Sequence, residues 1–175
     1  MLLALTLAAL TPQTAPYDAG RSCIMDALTP AQRAELAGQF VAGEMKTAEE
    51  FARPVAAKCA ATWKWTAPVR DWNIILSAAY AAMVGLESQL TGKLDNKKLK
   101  ALFERLSDTD RYGLTIGGAN KLDDAAYSAI LRRVAALLAA EKLSQDDLET
   151  AANWFIAFAQ FSEADVQLEA LAKAK

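Results

Sequence analysis

Between positions 72 and 90 the apolar residues Trp72, Ile75, Leu76, Ala79, Met83, Leu86 and Leu90 recur at helical spacing for about five turns. A strand alternates with period two, so this segment has to be a helix whose apolar stripe faces other elements. Pro68 stands where a first helical turn accepts proline, and Gly92 stands where a helix ends. The composition agrees: 38 of the 175 residues are alanine, against 8 Gly and 5 Pro. Alanine is the best helix former, so the whole chain is expected to be all-α.

The flanking segments repeat the pattern. Thr29-Pro30-Ala31-Gln32 reads as a capping box opening a helix that ends near Gly43, with Leu36, Ala37, Phe40 and Val41 inside. Thr47-Ala48-Glu49-Glu50 reads as a second box, opening a helix to about Trp65 with a kink or restart at Pro54. A shorter helix is expected over 96–106, carrying Leu99, Leu102, Phe103 and Leu106. A fifth covers 123–141, with Ile130, Val134 and Leu138 on its stripe. Ser144-Gln145-Asp146-Asp147 opens a sixth, whose Leu148, Trp154, Phe155, Ile156, Phe158 and Phe161 spread beyond one stripe, so it is expected to be buried on several sides. Ser162-Glu163-Ala164-Asp165 would cap a last short helix with Val166, Leu168 and Leu171. No repeat period and no linker divide the chain. The expectation is a single-domain bundle of about six to seven helices over residues 29–175.

Residues 2–10 (LLALTLAAL) form an apolar run too short to span a membrane, followed by Pro12 and Pro16. The run matches the core of a secretory signal peptide, although no basic segment precedes it and no clean cleavage site follows. Residues 1–15 are therefore read as a signal segment and 16–28 as an irregular arm. The competing reading is a buried or anchoring N-terminal helix. Arg21, two positions before Cys23, argues against a lipidated cysteine. In an exported chain two cysteines suggest one disulfide, Cys23–Cys59, tying the arm to the helical face of Phe51, Val55 and Trp63. Closing that loop is worth about 4 kcal/mol in the chain-entropy model. Two unrelated buried thiols are the alternative. There is no C-x-x-C, and two cysteines without histidine cannot build a zinc site.

With 19 basic and 21 acidic residues the net charge is −2, which leaves no footprint for nucleic acid or an anionic membrane. The absence of histidine removes the commonest general base and every Ser-His or Cys-His nucleophile pair. Residues 107–121 (SDTDRYGLTIGGANK) are the longest stretch without helical period. Asp108, Asp110 and Gly113 begin like a calcium loop, but Tyr112 and Ala119 stand where ligands are required. Gly113 and Gly118 begin like a Walker loop, but Ala119-Asn120 replaces its lysine and hydroxyl. A turn that redirects the chain is favoured over backbone N–H groups presented, with Arg111 and Lys121, to an anion. Lys93, Lys97, Lys98 and Lys100 read as a solvated face. The carboxylates Glu44, Glu49, Glu50, Asp146, Asp147 and Glu149 lie at helix starts or on polar faces, where the helix dipole explains them. No catalytic residue, metal or cofactor is assigned.

Trp63, Trp65 and Trp72 crowd around one turn. On one helix, residues two apart point to different sides, so Trp63 or Trp65 is expected to be largely exposed as an aromatic interaction patch. The functional expectation is an exported, periplasmic or secreted, non-enzymatic helical protein that binds a protein or envelope component, with no nucleic acid and no stable membrane span. The first rival is a pocket for a small apolar ligand between the Trp63–Trp72 corner and Phe155/Phe158. The second is a carboxylate-dependent hydrolase, for which no site assembles.

Overall fold

A computed structural model describes residues 20–174. The apolar run and the proposed cleavage region lie outside the described residues. Those described form nine helices and no strand: α1 (Cys23–Ala27), α2 (Pro30–Val41), α3 (Met45–Trp63), α4 (Ala67–Gln89), α5 (Asn96–Phe103), α6 (Asp108–Gly113), α7 (Ile116–Ala119), α8 (Asp124–Ala139) and α9 (Gln145–Lys173).

Short polar side chains start most of them. Thr29 Oγ1 accepts from Gln32 N while Gln32 Oε1 accepts from Thr29 N at 3.0 Å, which completes the capping box of α2. Asp95, Ser107, Thr115, Asp123 and Ser144 cap α5 to α9 in the same manner. Each such cap contributes about 1 kcal/mol.

Four expectations change. Thr47 opens no helix: Gly43, at φ +75°, closes α2 with Glu44 N donating to Gln39 O, and α3 begins at once with Met45. Pro54 starts no new helix: α3 runs through it, and both Pro54 and Glu50, whose carbonyl loses its donor, are exposed. Ser162-Glu163 opens no new helix. The Ser162 hydroxyl donates back to Phe158 O at 2.8 Å and α9 runs through it as one 29-residue helix. The arm and the stretch 107–121 are helical in part, as α1, α6 and α7, each too short for a period to register.

α4 is the hub of the molecule, packed against α9 above all and also against α2, α3 and α1. Buried Ala78, Ala79, Ala81 and Ala82 on α4 let neighbouring helices approach closely, a packing role for alanine beyond propensity. α9 is buried on several sides, as its sequence implies, with Trp154 and Phe155 both fully enclosed. Trp154 stacks on Phe158 at 5.0 Å, and Phe103 meets Phe155 and Phe158 edge-on. Trp154 Nε1 donates to Glu87 at 2.9 Å, which gives the buried indole its acceptor. Phe155 and Phe158 are thus rings packed on Phe103 and Trp154.

Candidate functional site

Gly20, the first described residue, lies against two tryptophans. Lys64 takes a left-handed conformation, φ 55°, so α3 stops at Trp63, and Trp65 N reaches back to Ala60 O at 3.0 Å. Residues two apart point to different sides only within a helix, and this reversal ends the helix between Trp63 and Trp65. Both indoles therefore close on the same residue. A Cβ on Gly20 would lie 3.0 Å from Trp65 Nε1 and 3.1 Å from Trp63 Cγ, so only glycine lets the chain pass there at ordinary contact distance. Trp63, Trp65 and Trp72 are all half-buried, and neither member of the pair is largely exposed. Trp65 also touches the small cluster of Val69, Leu76, Ala164 and Leu168, against which Trp72 packs.

Just beyond Gly20 the arm is cross-linked. Cys23 on α1 and buried Cys59 on α3 stand with their sulfurs 2.09 Å apart and Cα atoms at 6.0 Å, 36 residues apart in sequence. Ile24 and Leu28 on the same turn are buried in the main core. Arg21 pairs with Asp165 of α9, a second tie across the corner.

The arm so held forms one wall of a pocket of about 390 Å³. Arg21, Met25 and Asp26 come from the arm side, Arg33 from α2, Leu76, Ser77 and Tyr80 from α4, and Phe161 from α9. Tyr80 and Phe161 lean together, ring centroids 6.2 Å apart, and Tyr80 is 46% exposed at the surface. A second groove, about 570 Å³, runs between α2, α4 and α9 over a floor of Ala37, Gly38, Ala82 and Gly85, with Asp146 and Glu149 on its rim. It is shaped by missing side chains and gathers no cluster of cations or aromatic rings.

The glycine-rich turn does hold an anion, and the anion is the protein's own. Ile116 N and Gly117 N donate to the Glu163 carboxylate at 2.8 and 3.0 Å. A Cβ on Gly118 would overlap the Tyr112 carbonyl oxygen, which explains glycine at that position. Arg111 is engaged by Asp108, and Lys121 donates to the Tyr112 hydroxyl at 2.7 Å.

The buried carboxylates are likewise spent. Asp110 accepts two 3.0 Å bonds from Arg133 Nε, and that pairing holds its pKa below the usual carboxylate value. Asp147 accepts from Lys93 at 2.7 Å and from the Ser144 hydroxyl at 2.6 Å, and Lys93 chiefly lowers its pKa too. A general acid needs the opposite shift. Among the described residues no group of three or more Cys, Asp or Glu is placed to hold a metal ion. The lysine cluster is exposed but not idle: Lys98 pairs with Glu141, and Lys100 lies 5.7 Å from the centre of the Phe158 ring. No known protein family, curated protein or solved structure matches this chain.

Proposed function

We propose that this is an exported helical protein, periplasmic or secreted, which acts by binding a protein or envelope component and not by catalysis. The observation that carries the reading is the Cys23–Cys59 pair at bonding distance across 36 residues. Reducing compartments keep such pairs open, whereas an oxidising compartment lets them close and persist. The apolar run over 2–10 supports export as a signal segment. No helix among the described residues is long and apolar enough to cross a membrane. Binding without catalysis is supported by the missing histidine and by the lowered pKa values of Asp110 and Asp147. The half-buried edges of Trp63, Trp65 and Trp72 are the surface proposed to meet the partner. Fractionation of native cells with N-terminal sequencing tests export. The expected result is a mature chain in the envelope or medium, starting between about residues 15 and 20. Cytosolic protein retaining Met1 would refute it.

A further inference from the structure

The pocket under the arm gathers polar groups that the fold leaves unspent. Arg33 Nε is shut off from water without an acceptor, and the guanidinium makes no ion pair among the described residues. Ser77 is 1% exposed, and its hydroxyl has no partner either. Serines inside helices commonly donate to the carbonyl four residues back, as Ser162 does, but Ser77 does not. Other unpartnered buried atoms, on Gln39, Asn73 and Gln160, are not on the lining of this pocket. The Arg33 guanidinium is a cation that offers only donors, so the complement it lacks is an anionic acceptor. Met25, Leu76, Tyr80 and Phe161 give the pocket apolar and aromatic wall, beside Arg21, which is paired with Asp165, and Ser22. Asp26, exposed on the lining, adds a negative charge that opposes a second charge on any ligand.

We propose that this pocket binds a small monocarboxylate with an apolar body. The carboxylate accepts from the terminal N–H groups of Arg33, which are neither enclosed nor paired among the described residues, and the body lies on Leu76, Tyr80 and Phe161. The volume, about 390 Å³, falls in the range of small-molecule sites. The wall contributed by Arg21 and Met25 flanks Cys23, so the pocket depends on the cross-link to Cys59. The inference adds a ligand site to the reading above without depending on export, because it is tested on the purified, oxidised chain.

The test is calorimetric titration with phenylpropionate, its neutral analogue phenylpropanol, and inorganic phosphate. Saturable one-to-one binding of the acid is expected, with the alcohol and phosphate each weaker by about tenfold or more, the scale set by a charge-assisted hydrogen bond. Arg33→Gln should weaken the acid by about tenfold with an unchanged melting curve. Failure of the acid to bind, equal binding of acid and alcohol, phosphate binding more tightly than the acid, or undiminished binding by a folded Arg33→Gln chain would overturn the proposal. The comparison of acid with alcohol uses the unsubstituted chain, so it decides the matter even where a substituted chain does not fold.

Discussion

The glycine-rich stretch 107–121 and the corner built on residues 20–28 look alike in sequence, both lacking a sustained helical period and both supplied with glycine and arginine. In structure they are opposites. The stretch satisfies itself: Ser107 and Thr115 cap its two helices, Asp110 holds Arg133, Asp108 holds Arg111, and Glu163 takes the free N–H groups of Ile116 and Gly117. The corner is held by a covalent bond and leaves Arg33 and Ser77 unsatisfied inside a pocket. A conspicuous composition therefore does not lead to the proposed site; an unpartnered polar group on a pocket wall does.

The largest effect that can break this contrast is loss of the cross-link. Cys59→Ser should lower stability by about 4 kcal/mol and melting by about 8–16 °C, read by thermal and denaturant unfolding. Hydrogen exchange should show residues 20–28 losing protection first while 107–121 keeps its own. A variant as stable as the parent would remove the covalent half of the comparison. Gly118→Ala comes next, at up to about 3 kcal/mol, since its methyl group would meet the Tyr112 carbonyl on packed backbone. A neutral result in urea unfolding would mean that the turn is looser than drawn.

What could be read beforehand follows from how local each signal is. The stripe of α4, the Thr29 box, the all-round burial of α9 and the Cys23–Cys59 pairing rest on spacing within one element or on two cysteines with few choices. Lys64 is another matter, because a left-handed lysine has no local signature, yet it decides that Trp63 and Trp65 close together on Gly20. The role of Glu163 was hidden similarly: Ser162-Glu163 mimics a cap, and its real partners lie 46 and 47 residues away. Arg33 and Ser77 carry no signal at all along the chain, since being unspent is a property of the packed structure.

Trp65 sharpens the comparison on the side of the corner. Bridging two apolar clusters while half-buried, it should cost about 2 kcal/mol as Trp65→Ala, below the roughly 3–5 kcal/mol of an enclosed ring such as Trp154. Parallel denaturation of Trp65→Ala and Trp154→Ala checks the order, and a reversed order would place the corner in the core. The smallest effect is acid titration of the self-satisfied ion pairs. Asp110 and Asp147 have folded pKa values lowered from 3.8, so unfolding binds protons and stability should be flat at neutral pH. The loss begins as pH falls toward 3.8 and is complete only below the folded values. Arg133→Gln should flatten part of that acid limb. An unchanged limb would detach Asp110 from it.

The most direct test of the account is the redox state of Cys23 and Cys59 in protein taken from its native compartment. Thiol titration under denaturing, non-reducing conditions should find no free thiol, and two after reduction. Two titratable thiols without reduction would mean that the arm is not cross-linked to α3. The export reading and the pocket wall would then lose their common support.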